Sequence, residues 1–229
     1  MLTHGYKTVG VQWFEGLLFP HQLLSRWKVT NSANPTVSYR HPLAATQKKI
    51  NMIIKVDTEI ELKQLEQSDS IDIYKTIDNQ RDYLGKWLPF VAFTKELSDT
   101  EKFVDSVVKA TEDRFEYVFT IIFCKVFVGL IGFKDTDKLN KKTEIGYWLS
   151  EKYQKQGIIT KSVDKLCDFA FNKQGINRIQ IKCAVENIPS KNIPKKLGFK
   201  FEGIERQGEL LKGNFYTDLE IYSKLKSDK

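Results

Sequence analysis

The chain has 229 residues, 41% hydrophobic and 28% charged, with a formal charge of +7, a composition that supports one well-buried core and makes a single domain the default. No apolar run approaches the roughly 18 to 20 residues needed to cross a bilayer, and the N-terminus lacks a signal-peptide pattern. A soluble, cytoplasmic protein with no membrane partner is therefore expected.

Residues 1–51 carry six Lys/Arg against one acid, Glu15, so +5 of the +7 sits there and only +2 belongs to the rest. His4, His21 and His41, the chain's three histidines, lie in the same segment. Chemistry performed by residues 52–229 therefore has no imidazole of its own as base or metal ligand, and neither a Ser-His-Asp site nor a His-based zinc site is expected there. Residues 1–51 lack sustained periodicity and read as an appendage, with Met52 as the natural start and a small accessory element as the alternative. Trp13, Trp27 and Tyr39 are interleaved among the cations, but nucleic acid is not the expected partner.

From Met52 the pattern becomes regular. Ile54, Val56, Ile60 and Leu62 form a strand-like run, and a short helix through Ile73, Tyr74 and Ile77 follows. Ser98 and Glu101 read as a capping box ahead of Phe103, Val104, Val107 and Val108, whose spacing puts them on one helical face. Strands are predicted over 117–124, 126–133 and 143–149, the first two joined by a tight turn and the next pair by the polar loop 135–142. A helix over 160–172 turns Val163, Leu166 and Ala170 inward, and Gly175 suits a left-handed C-terminal position. Residues 178–185 alternate as a half-buried strand.

Strand, helix and strand over 143–185 form a crossover unit, which implies two neighbouring strands in a mixed sheet. A short helix at 190–197 ends at Gly198, and strands at 199–206 and 215–224 finish the domain. The expected class is α+β, a mixed and mostly antiparallel sheet of about seven strands with about four helices. Cys124, Cys167 and Cys183 are odd in number, widely spaced and apolar in context, so they read as reduced core thiols.

The turn between the strand ending at Leu149 and the helix predicted from Thr160 reads Gln154, Lys155, Gln156, Gly157, Ile158, Ile159, Thr160. A strand-to-helix turn aims unpaired backbone N–H groups and the positive end of the helix dipole at one point, which suits a pyrophosphate. Gly157 would let the phosphates approach the backbone. A single Gly in such a turn is equally ordinary turn chemistry.

The run resembles the GNAT acetyltransferase signature, with Gln154 and Gly157 matching and Ile159 departing where the superfamily usually has Gly or Ala. Arg81, Asp82, Tyr83, Leu84 with Trp87, Leu88, Pro89 resemble the first-helix segment of the RimJ/RimL-type branch. Ile145, Gly146, Tyr147, Trp148, Leu149 resemble its fourth strand, and Asn187, Ser190 and Leu197, Gly198, Phe199 its cofactor-side Asn, its Ser and its helix end. Residues 52–226 are thus identified as a RimJ/RimL-type GNAT enzyme, similar to ribosomal-protein N-terminal acetyltransferases.

That resemblance implies acetyl-CoA as cosubstrate, no metal, and an amine acceptor, foremost a protein N-terminus. A small-amine acceptor and a non-catalytic CoA-binding module are the alternatives, and a homodimer is left open. It makes Glu209 the general base and Ser190 the proton donor to the leaving sulfur. Strand-end carboxylate and helix N-cap are the bland readings of these two. It gives the backbone at Trp148 and Leu149 the acetyl carbonyl, and Asn187 the pantetheine arm. Trp87, Leu88, Pro89 and Phe90 become the lining of the acceptor entrance, with Glu144 flanking it, although Glu144 also reads as a cross-strand surface partner. An α-amine near pKa 8 costs roughly 1.4 kcal/mol to deprotonate at pH 7 and a lysine near 10.4 roughly 4.6 kcal/mol, so a lone carboxylate base suits the former better.

Overall fold

The structure, a computed structural model, describes residues 52–109 and 116–228; the appendage 1–51 lies outside the described residues. The first strand-like run is two strands, β1 (Ile53–Lys55) and β2 (Ile60–Gln64), paired antiparallel. The break comes at Asp57, whose Oδ1 accepts the N–H groups of Glu59 and Ile60, both at 2.9 Å. This local side-chain turn competes with continued extension. It also corrects the expected seven strands to eight.

Three helices follow, α1 (Ser70–Asp78), α2 (Arg81–Leu84) and α3 (Leu97–Lys109). The last starts before Ser98, so the expected Ser98/Glu101 box does not cap it. Asp99 Oδ2 instead accepts the N–H groups of Lys95 and Glu96 at 2.9 and 3.1 Å. Phe103 and Val104 of α3 are buried as expected, whereas Val108 is exposed.

The remaining elements are β3 (Val118–Phe123), β4 (Val126–Asp137), β5 (Lys142–Leu149), α4 (Ile158–Lys173), β6 (Arg178–Ala184), α5 (Ile188–Lys196), β7 (Lys200–Leu211) and β8 (Phe215–Leu225). The eight strands form one sheet in the order β1-β2-β3-β4-β5-β6-β8-β7, antiparallel except at the β5/β6 seam. The β3–β4 turn carries Cys124 and Lys125 at φ 47° and 66°, the left-handed pair of a tight hairpin. That turn leaves Cys124 exposed rather than in the core, while Cys167 and Cys183 are buried as predicted. Gly175 has φ 69°, as its place after α4 requires.

Apolar residues divide between the two sheet faces. Ile131, Phe133, Ile145, Ile179 and Ile181 pack with Val163, Leu166 and Ala170 of α4. Leu130 and Trp148 face the other way, toward Ile73, Ile77, Phe103 and Val104 of α1 and α3. Burial of these side chains, about 1.5 to 3 kcal/mol each, fixes both layers. The parallel seam is short: β5 and β6 pair only at Lys142/Arg178, Thr143/Ile179 and Glu144/Gln180. Beyond Glu144 the strands part, and the site is built in that opening. No described helix is long and apolar enough to cross a membrane.

Candidate active site

A cavity of about 640 Å³ occupies the opening. Its floor is the end of β5, with Tyr147, Trp148 and Leu149. One wall is the turn into α4, and the other is the start of α5. Tyr83, Leu84, Trp87 and Leu88 close a third side, and Lys86, Lys155 and Lys196 add positive charge.

The helix α4 starts at Ile158, two residues earlier than predicted, with Gly157 as N-cap at φ 76°. Lys155 is also left-handed, at φ 62°, so the turn reverses twice around Gln156. The first intrahelical bond runs from Lys161 N to Gly157 O at 3.0 Å, which leaves the N–H groups of Ile158, Ile159 and Thr160 ahead of it without helical acceptors. No acidic residue lies in the first turn of α4, so no carboxylate competes for that positive end. The side chain of Ile159, where the signature has Gly or Ala, is 7% exposed within the core beneath α4; the departure is absorbed by packing.

Two residues that the sequence did not single out as site residues hold this turn. Gln80 accepts from Glu151 N at 2.8 Å through Oε1 and donates to Ser150 Oγ at 3.0 Å through Nε2. Tyr83 accepts a hydrogen bond from Gln154 Nε2. The signature glutamine thus uses its side chain to tie the turn to α2. Tyr83 lay within the recognised Arg81–Leu84 segment, so a signal existed for it; nothing in the sequence marked Gln80.

Ser150 N donates to Val128 O at 2.8 Å. By strict alternation the N–H of Trp148 then faces β4, and that of Leu149 faces the opening toward β6. The Trp148 side chain is buried on the opposite face, edge-on to Phe127 at 5.9 Å. Of the two predicted amides, only that of Leu149 is aimed into the opening.

Across it stands α5. Its N-cap is Asn187, not Ser190: Asn187 Oδ1 accepts Ser190 N at 3.2 Å. That leaves the Ser190 hydroxyl for other partners, 3.3 Å from Tyr147 Oη and 3.3 Å from Cys183 Sγ. Burial holds the Tyr147 phenol well above its ordinary value and pushes the Cys183 thiol up to about 11, so both remain protonated donors at neutral pH.

Several predicted site residues lie outside the cavity wall. Gln156 is exposed, with its side chain donating to Lys152 O at 3.4 Å. Pro89 begins a short 3-10 turn, and Phe90 belongs to the core between α1, α3 and the sheet at 5% exposure; the cavity is lined by Trp87 and Leu88 but not by these two. Glu144 is not a surface carboxylate. It is 5% exposed and paired with Lys134 at 2.8 Å.

Glu209 lies on β7 after an irregularity in which β7 advances from Glu205 to Glu209 while β8 advances only from Leu219 to Thr217. Gln207 adopts φ 50° there, and its N–H donates to Asp218 Oδ1 at 2.7 Å. The Glu209 carboxyl is raised above the usual carboxylate range by burial; Lys134 and Lys182 oppose the rise and Glu144 adds to it. Glu209 is absent from the wall of the large cavity.

Residues 59–200 match the family model of the acetyltransferase (GNAT) domain. The chain belongs to the GNAT acetyltransferase family. It is 32% identical over 176 residues to a Bacillus subtilis (strain 168) protein named putative ribosomal N-acetyltransferase YdaF, covering 76% of this chain and 95% of that one. It is 31% identical over 172 residues to the ribosomal-protein-serine acetyltransferase of Escherichia coli (strain K12), covering 75% and 96%. A solved structure of RimL, described as a ribosomal L7/L12 alpha-N-protein acetyltransferase in complex with coenzyme A, superposes with a TM-score of 0.74 at 26% identity, over 78% of this chain and 100% of that one.

The GNAT chain described here is accordingly an acyltransferase enzyme that uses acetyl-CoA, and the cavity fits that cosubstrate. A row of free amides and three lysines suits the phosphates, and the parted strands admit a narrow arm. Among the described residues no cluster of His, Cys, Asp and Glu could hold a metal.

Proposed function

We propose that this GNAT enzyme acetylates the N-terminal α-amine of a protein, such as a ribosomal protein, in the cytoplasm. The observation that carries the reading is Glu209, a half-buried carboxylate to which no hydrogen bond or ion pair is made among the described residues. Burial without a partner strengthens a carboxylate as a base. The two relatives named for ribosomal acetylation and the RimL structure support the same acceptor.

Bound acetyl-CoA supplies an activated acetyl carbonyl and a thiolate leaving group. Lys86, Lys155 and Lys196, with the amides at the start of α4, hold the phosphates, and Asn187 lies along the arm. Leu149 N–H, aimed into the opening, stabilises negative charge on the acetyl oxygen. Glu209 removes a proton from the acceptor ammonium, and the resulting amine attacks. Ser190 donates its hydroxyl proton to the sulfur as the C–S bond breaks; Tyr147, 3.3 Å from Ser190 Oγ, is in reach to restore it, and the second proton, released by the acylated nitrogen, replaces the one this hydroxyl pair has given up.

The test is thiol release from acetyl-CoA with free-N-terminal peptides, polyamines and aminoglycosides as acceptors. Turnover with peptides and not with N-terminally blocked ones is expected. Preferential turnover of a polyamine or aminoglycoside would overturn the acceptor assignment, and no thiol release with any of them would favour a non-catalytic CoA-binding role.

A further inference from the structure

Helix α5 carries a proline in its interior. Pro194 is buried and lies four residues after Ser190, so the backbone N–H that would bond Ser190 O in a regular helix does not exist there. The pyrrolidine ring also crowds that same carbonyl. A donor arrives from another element instead: Tyr147 Oη, near the end of β5, donates to Ser190 O at 3.2 Å. The same phenol oxygen lies 3.3 Å from Ser190 Oγ. Ser190 Oγ in turn donates to Cys183 Sγ at 3.3 Å, so each of the two protons has its own acceptor. One phenol thus spans the carbonyl and the hydroxyl of a single residue on the wall of the cosubstrate cavity.

Other contacts fasten the helix in place. Lys191, 9% exposed, pairs with Glu220 of β8 at 2.7 Å, and Tyr222 donates to the second oxygen of that carboxylate. Lys195 Nζ stands 5.8 Å from the centre of the Tyr222 ring, and Phe199 N donates to Pro194 O at 3.0 Å. Proline is the residue that disfavours a helix interior most, so helix stability is a poor account of Pro194. Its local effect on the Ser190 carbonyl is a better one.

We propose that Pro194 is a positioning residue that couples Tyr147 to Ser190. By withholding an amide from the Ser190 carbonyl it reserves that carbonyl for the Tyr147 phenol, and so keeps the phenol proton beside the Ser190 hydroxyl. The inference rests on the reading of Ser190 as proton donor to the departing sulfur. As the Ser190 O–H proton passes to sulfur, the phenol proton moves from the carbonyl to Ser190 Oγ. The phenolate then takes up the proton that the acylated nitrogen releases. Pro194 itself does not line the cavity.

The experiment compares Pro194→Ala and Pro194→Val, which both restore the amide and of which valine refills the volume of the ring, with Tyr147→Phe and with each double variant. The single-turnover rate of thiol release from acetyl-CoA is measured with an N-terminally free peptide. In parallel, the full chain labelled with 13Cζ tyrosine reports the Tyr147 phenol, whose resonance Tyr147→Phe identifies. Both Pro194 variants are expected to slow thiol release by about five- to tenfold, as loss of one hydrogen bond would. Coenzyme A affinity in calorimetry should stay unchanged while the Tyr147 resonance is displaced. Tyr147→Phe should slow release by about tenfold, and the double variants no further.

Loosened packing would slow release in the Tyr147→Phe background as well. An unmoved Tyr147 resonance in the proline variants, or double variants slower than Tyr147→Phe by the full factor of the proline change, would overturn the proposal. Wild-type rates in the proline variants beside a slow Tyr147→Phe would do the same. Should Pro194→Ala fail to fold, Pro194→Val carries the same comparison. If Ser190→Ala and Tyr147→Phe both release thiol at the wild-type rate, the donor reading fails instead, and the resonance still reports whether the restored amide displaces the phenol.

Discussion

Gly129 lies on β4 directly opposite Leu149, the residue whose amide is aimed into the active-site opening. A Cβ built at Gly129 would stand 2.2 Å from Trp148 O, 3.0 Å from Leu149 Cα and 3.1 Å from Trp148 C. Ordinary carbon–oxygen contact begins at about 3.3 Å, so Gly129→Ala requires the end of β5 to retreat by about 1 Å. Loss of one or two ladder hydrogen bonds and the overpacking strain together cost roughly 2 to 4 kcal/mol. For a domain of this size that corresponds to a fall in Tm of roughly 5 to 15 °C.

In the proposed mechanism the displaced backbone is the one that meets the acetyl carbonyl, and a misplacement of about 1 Å is expected to lower kcat/KM by about 100-fold. Gly132→Ala is the comparison, because its Cβ would press on β3 instead, 2.9 Å from Tyr117 O. It should lower Tm while the folded fraction keeps its activity. Thermal melts combined with steady-state kinetics corrected for folded fraction separate the two. If Gly129→Ala keeps kcat/KM within about twofold of wild type, the Leu149 amide does not contact the reacting group.

Glu209→Gln should reduce kcat by about 10²- to 10⁴-fold with coenzyme A affinity retained. The same variant should gain stability with pH. Burial raises the folded-state pKa of Glu209, so its contribution is intact below the unfolded carboxylate value and is lost as pH rises through the folded one. The Tm difference between variant and wild type should be absent near about pH 4 and positive at neutrality, and a difference independent of pH would contradict the assignment. Ser190→Ala should lower kcat by about 10²-fold without weakening coenzyme A in calorimetry, and an unaltered kcat would remove Ser190 from the reaction. Gly157→Ala meets no atom within 4 Å, so its cost is the left-handed backbone alone, about 1 kcal/mol, read as about fivefold weaker coenzyme A binding. Unchanged affinity would mean that the turn does not grip the phosphates.

The periodicity of residues 143–185 was enough to foresee the crossover and the parallel seam, because alternating and helical patterns each bury one face only. Gln154 and Gly157 marked the turn only through their resemblance to the GNAT signature, since a single Gly in a strand-to-helix turn is ordinary turn chemistry. Element ends were less legible. The early starts of α3 and α4 were settled by Asp99 in one case and by the buried Ile158 and Ile159 in the other. The extra strand at Asp57 came from a side chain competing with the ladder.

Sequence by itself determined the crossover unit and the family, since each depends on neighbours within a few residues or on a local motif. Only the tertiary structure decided that Phe90 belongs to the core, that Ser190 is freed by the Asn187 cap to meet Tyr147 and Cys183, and that Glu144 is closed off by Lys134 and Gln180. These groups lie on different strands and helices, and what each can do depends on the dielectric and the partners that packing supplies, which no stretch of chain carries alone.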